Sequence, residues 1–133
     1  MIMANELTIK DEAAIAVSEK FDLGELIKPL QKEIFLFDTY IAGVTHLEDM
    51  TVLERIKTGD KVIFMREPDN RYDDKAIMVL NDQKEKLGYV PEKDNVVFSR
   101  LMDAGKMLTG KVNEIKDKHG FTQVAIGIYL VDF

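Results

Sequence analysis

Two short runs, Lys61 to Arg66 and Ala76 to Leu80, carry apolar side chains on both of their faces. Successive side chains of a strand point to opposite sides of the sheet, so runs of this kind need cover on both sides. A flat sheet with one solvated face does not supply it. A sheet closed into a small antiparallel barrel, with a helix packed on it, does. The segment joining the runs lies within REPDNRYDDKAIMV, Arg66 to Val79. Pro68, Asp69 and Asn70 break a strand and favour a turn, because Pro sets φ and short polar side chains bond to nearby main chain. A tight hairpin uses Asn-Gly or Asp-Gly. Here Asp69 to Asp74 instead hold one aromatic, one Arg, one amide and three carboxylates. A loop so rich in donors and acceptors is a candidate binding edge.

The neighbouring segments supply the other walls. Ile34 to Phe37, Tyr40, Ile41 and Val44 read as a β-rich stretch, in which Gly43 marks a bulge or a close backbone approach. Val52, Leu53 and Ile56 suit one helical turn or a loop, and Thr58-Gly59-Asp60 a turn. After a charged turn from Asn81, Leu87 to Val90 forms a short strand stopped by Pro91. Val97, Phe98, Leu101, Met102 and Ala104 then recur at helical spacing, with Asp94 as the expected cap and Gly105 at the C′ position. Leu108 to Ile115 and Thr122 to Val131 flank Asp117-Lys118-His119-Gly120 as a hairpin.

Residues 1–33 differ in character. Thr8 suits a cap, and Ala14, Ile15, Val17 and Phe21 follow helical spacing; Leu23, Leu26, Ile27 and Leu30 share one face of a second short helix. The chain thus divides into a helical N-terminal extension, 1–33, and a β-barrel domain, 34–133. The extension serves either as a lid on the domain or as a partner-binding or dimerising element.

Composition narrows the function. With 24 acidic against 18 basic residues the net charge is −6, which excludes a broad basic face for nucleic acid or anionic membrane and leaves only local phosphate contacts. No cysteine is present, so neither a disulfide framework nor a Cys-based zinc site forms, and two isolated histidines make no metal cluster. The N-terminus lacks the pattern of a signal peptide, and no run of about 18 apolar residues occurs, which points to a cytoplasmic protein away from membranes. No catalytic signature is found for a nucleophile, a phosphate-cradling loop or a metalloprotease. A calcium loop fails because Asp74 stands where the turn glycine belongs and Leu80 where the bidentate Glu belongs. Asp73 and Asp74, adjacent in an extended segment, point opposite ways and do not share a magnesium ion. A non-catalytic, cofactor-free binding module remains. Tyr72 offers a face on which a base can stack, while Asp73 can accept from a ligand hydroxyl and Asn70 can donate or accept. The same residues also admit a purely structural reading, in which Asp73 closes the turn, Asn70 braces it and Tyr72 anchors the loop.

These motifs, together with LGYVPEKDN, the helix ending at Gly105 and Ile41-Ala42-Gly43-Val44 upstream, resemble the HIRAN domain family over Ile34 to Phe133. That family includes stand-alone bacterial proteins and N-terminal modules of SWI/SNF-type helicases. The resemblance implies an OB-like barrel and, as in a helicase member, a pocket for the 3′-hydroxyl end of single-stranded DNA. It assigns base stacking to Tyr72 and the terminal hydroxyl to Asp73. Asn70 keeps one of two family asparagines, with Asp69 in place of the other; Phe121 faces the nucleotide, and Tyr89 takes the place of a histidine near the phosphate. Two departures stand out. Thr45-His46 replaces Arg-Tyr, leaving His46 as the remaining ring, and Glu92 replaces a phosphate-binding lysine, with Lys93 one place away. The alternative partner is a DNA-processing protein, an ATPase or nuclease, on which the domain docks. A hydrolase has least support, since the family's link to helicases comes from neighbouring ATPase domains.

Overall fold

The computed structural model describes residues 32–132. Of the proposed helical extension, only Lys32 and Glu33 fall within that range, and they open a strand. The rest of the extension lies outside the described residues. The elements run β1 (Lys32–Tyr40), two 3-10 turns (Val44–His46 and Met50–Arg55), β2 (Lys61–Arg66), β3 (Ile77–Leu80), β4 (Lys86–Tyr89), α1 (Glu92–Asp103), β5 (Met107–Lys118) and β6 (Phe121–Asp132).

The strands form one sheet in the order β1-β6-β5-β2-β3-β4. Its spine is the long β5–β6 hairpin, turned by His119 and Gly120, both with positive φ as a two-residue primed turn requires. A bulge between Val112 and Glu114 bends this hairpin, and a register shift at Val79/Leu80 bends β3 against β4. Bulges raise local twist, so the sheet curls until its two ends approach. Beyond β1 the chain bridges Ala42 to Tyr89 of β4, with reciprocal main-chain bonds of 2.7 and 2.9 Å. The outcome is an OB-like curled half-barrel rather than a fully closed barrel, with its edges joined at this one described bridge.

The core fills the concavity: Val62, Ile77, Val79, Leu87, Val112, Val124, Ile126 and Ile128 are each no more than 1% exposed. Two-sided cover holds for Ile77, Val79 and Leu80 but not for β2, where Met65 stays exposed. Val52, Leu53 and Ile56 plug one end from a 3-10 turn capped by Asp49, whose carboxylate accepts from Thr51 N at 3.0 Å. The α1 helix ends as expected: Gly105 N reaches Met102 O and Lys106 N reaches Leu101 O, the paired bonds of a Schellman motif. Its start differs from the expectation. Pro91 occupies the N-cap, and Asp94, in the first turn, accepts from the buried Thr39 hydroxyl at 2.6 Å, tying α1 to β1. Among the described residues no helix is long and apolar enough to cross a membrane.

The close backbone approach inferred at Gly43 falls instead on Gly88. Gly43 has φ 78° at a corner, with open space where a Cβ would lie. A Cβ on Gly88 (φ 151°) would lie 2.3 Å from Ala42 O and 2.6 Å from Ile41 Cγ2. The bridge that ties the sheet edges therefore depends on the missing side chain. Gly88→Ala is expected to cost about 1–3 kcal/mol or more in urea unfolding, as overpacking does; an unchanged midpoint would show that the bridge yields freely.

Candidate nucleic-acid interface

The loop between β2 and β3 is held by main-chain satisfaction, as short polar side chains allow. Asn70 Oδ1 accepts from Tyr72 N at 2.9 Å and Asp73 N at 3.1 Å, and Asn70 Nδ2 donates to Glu67 Oε1 at 3.0 Å. Glu67 in turn accepts from the Tyr89 hydroxyl at 2.8 Å on that same oxygen. Asp73 Oδ1 accepts from Lys75 N at 2.9 Å. Arg66 spans the base of the loop: its guanidinium donates to Ala76 O at 2.6 Å, to Asp74 O at 2.9 Å and to the Asp103 carboxylate at 2.9 and 3.2 Å. One side chain thus fixes both ends of the β2–β3 connection to the end of α1.

With its backbone so occupied, the loop presents Tyr72 outward, 88% exposed. Beside it lies a cavity of about 240 Å³ lined by Ala42, Asn70, Tyr72, Asp73, Ala76, Tyr89, Val90, Glu92 and Asn95. This is below the roughly 300–1,000 Å³ of ordinary small-molecule sites, so it suits an end group better than a whole cofactor. It sits where the Ala42–Tyr89 bridge, the polar loop and the first turn of α1 converge. Asp73 Oδ2 accepts from Asn95 Nδ2 at 2.7 Å. That bond first, then the Lys75 N–H and the charges of Lys75 and Arg66, hold the Asp73 carboxyl below the usual carboxylate range. It is an ionised acceptor at neutral pH, and two bonds to different oxygens leave lone pairs for a ligand.

Of the residues singled out from the sequence, Tyr72, Asp73, Asn70 and Tyr89 meet at this cavity. Of the structural reading of the loop, Asn70 does brace it, whereas the Tyr72 side chain is exposed rather than packed as an anchor. The others lie elsewhere. Asp69 is exposed on the loop and Lys93 is exposed on α1, and neither lines the cavity. Phe121 starts β6 beside the hairpin turn, paired with Lys118. His46 borders a separate polar cavity of about 540 Å³ with Leu47, Glu48, Asp49, Val52, Glu85 and Lys86. The cavity's charged lining is Asp73 and Glu92, with no Lys or Arg among its residues. Lys86, whose Nζ lies 4.6 Å from the Tyr89 ring centroid, is the cation on that ring.

Sequence reading missed Asn95. Its signal was an amide among the helical positions that bury Phe98 and Ser99, where a buried polar group needs a partner. Among the described residues no group of three or more His, Asp or Glu side chains is placed to hold a metal ion.

A curled OB-like half-barrel with an aromatic and an ionised acceptor at one rim defines a small binding domain. A model of the HIRAN domain matches residues 34–130, and the chain belongs to that family, whose domains are nucleic-acid-binding modules. Among solved structures it is similar to a protein from Lactobacillus plantarum at 27% identity, covering 77% of this chain and 99% of that one with a TM-score of 0.72. The HIRAN domain of human HLTF is similar both in the crystal, at 18% identity, 76% and 78% coverage and TM-score 0.62, and by NMR, at 18%, 74% and 79%, and 0.52. At that identity these last two share the fold. No curated protein matches the chain.

The Arg66 clamp is open to test. Arg66→Met leaves the Asp74 carbonyl without its donor and the Ala76 carbonyl with only Glu67 N, and is expected to lower stability by about 1–3 kcal/mol and to speed amide exchange across residues 70–76. Exchange equal to wild type would show that the loop is held without Arg66.

Proposed function

We propose that the domain is a non-catalytic receptor for the 3′ end of single-stranded DNA, with Tyr72 stacking the terminal base and Asp73 accepting from the terminal hydroxyl. The observation that carries this reading is the pairing, at one 240 Å³ cavity, of a ring 88% exposed with a carboxylate held ionised beside it. A ring that free of its own protein leaves its face to a ligand. The Tyr89 ring supplies a second wall, and its hydroxyl is already bonded to Glu67. The acidic lining disfavours phosphate inside the cavity, which suits an unphosphorylated terminus. Backbone phosphates of the preceding nucleotides would rely on exposed cations outside it, such as Lys86, so affinity should fall only gently with salt.

Fluorescence anisotropy with matched oligonucleotides ending in 3′-hydroxyl or 3′-phosphate tests this. The hydroxyl end is expected to bind more tightly, and Tyr72→Ala to weaken binding by about 1–3 kcal/mol, the usual worth of a stacked base. Equal affinity for both ends removes the proposed role of Asp73.

A second reading, docking on a DNA-processing ATPase or nuclease, is favoured by one feature. Phe35 and Phe37 share a β1 face, Phe37 packs on Phe98 of α1, and Phe35, Phe37 and Val97 remain 53%, 41% and 62% exposed. Phe35→Ser with Val97→Ser is expected to reduce recovery of such an enzyme in pull-downs without altering oligonucleotide binding. Undiminished recovery ends this alternative.

A further inference from the structure

Asp73 is useful to a ligand only if its carboxylate is turned the right way, and its own loop does not ensure that. The bond from Lys75 N joins residues two apart, a local contact that travels with the loop wherever the loop goes. The other bond comes from across the cavity, from Asn95 in the first turns of α1, twenty-two residues further along the chain. We infer that Asn95 is the positioning residue of the receptor, fixing the Asp73 carboxylate relative to the Tyr89 and Tyr72 walls. This rests on the reading of the cavity as a receptor for a hydroxyl-bearing end.

Three features carry the inference. Asn95 is 2% exposed, so its rotamer is set by packing between the helix and the sheet, and it lines the cavity itself. Its Nδ2 meets Oδ2 at 2.7 Å while the loop amide meets Oδ1, so the carboxylate plane is pinned at both oxygens by groups from different elements. An amide N–H on that oxygen also favours the ionised acid, which must accept rather than donate toward a ligand hydroxyl. A purely structural need at this helix position would be met by an apolar side chain at lower cost, because burying an amide is unfavourable unless it is bonded. The charged groups around Asp73 are Lys75 from the loop, Arg66 from β2 and, on the same cavity, Glu92 from α1.

Asn95→Asp puts a second carboxyl in place of the donor. Two carboxyls that close share a proton with a raised apparent pKa. While the proton is present it bridges the pair as the amide did. When pH rises and the proton leaves, repulsion turns Asp73 away. The probe is a short 5′-labelled oligothymidylate ending in thymidine or in 2′,3′-dideoxythymidine, a comparison with no titrating group at the terminus. Wild type is expected to prefer the hydroxyl end by a ratio that is flat from about pH 5 to 8, since Asp73 stays ionised throughout. In Asn95→Asp the ratio should approach wild type at the acid end and fall about tenfold toward pH 8, the worth of one charge-assisted hydrogen bond.

The exchanged pair, Asp73→Asn with Asn95→Asp, restores one donor and one acceptor, and with them the fold, but places the charge on the helix. It should unfold at the wild-type urea midpoint and lack the hydroxyl preference at every pH. A wild-type preference in Asn95→Asp at pH 8, or one regained by the exchanged pair, overturns the inference. If wild type itself shows no hydroxyl preference, the underlying reading of the cavity fails instead.

Discussion

The β2–β3 connection is polar, ten residues long between Glu67 and Ala76, and held at its base by the Arg66 guanidinium together with the main-chain bond from Glu67 N to Ala76 O. Arg66 is the last residue of β2, and its four hydrogen bonds run to two carbonyls of the returning chain and to the carboxylate that ends α1. Main-chain carbonyls at the foot of such a loop need a donor, and Arg carries several in a rigid fork where a Lys presents a single mobile charge. With the foot of the loop closed, the Asn70 amide need organise only the tip. That leaves Tyr72 with no structural duty and Asp73 with spare acceptor capacity.

The same economy governs the sheet. Its two edges meet at Ala42 and Tyr89, and the approach is permitted because Gly88 has no side chain to oppose it. That meeting point is one wall of the cavity. Register shifts at Val112/Glu114 and Val79/Leu80 accompany the curl of the sheet toward that meeting point. Fold and site are coupled through Ala42 and Tyr89, which both join the sheet edges and line the cavity.

Electrostatics shape what such a cavity can accept. Its lining is acidic, the chain as a whole carries −6, and no Lys or Arg is among the residues that line it. Binding that depends on many phosphates would be opposed here. Recognition of a ring and a hydroxyl is compatible with that charge. Asp73 stays ionised because Asn95 and the loop amide bond to it before the surrounding charges act.

Much of this could be read from residue order. Turn formers at Pro68 to Asn70, the apolar runs of β2 and β3, the helical spacing after Pro91 and the Gly105 stop are local chemistry, and local chemistry is written in neighbouring residues. So was the gathering of Tyr72, Asp73 and Asn70, which sit within four positions. Asp94 misled because a carboxylate near a helix start suits a cap equally well as a partner for Thr39, and only the placement of β1 chooses between them. Phe121, Lys93 and Asp69 are not among the residues that line the cavity, although Asp69 and Lys93 adjoin Asn70 and Glu92, which are. Asn95 showed only as an amide among helical positions, and its partner lies in another element. The sequence alone determined strands, turns and the chemistry of the loop, because these follow from backbone preference and side-chain type. Tertiary structure alone decided how far the sheet closes, which aromatic rings share a cavity and which amide steadies the acid, because those depend on contacts between residues that only curvature brings together.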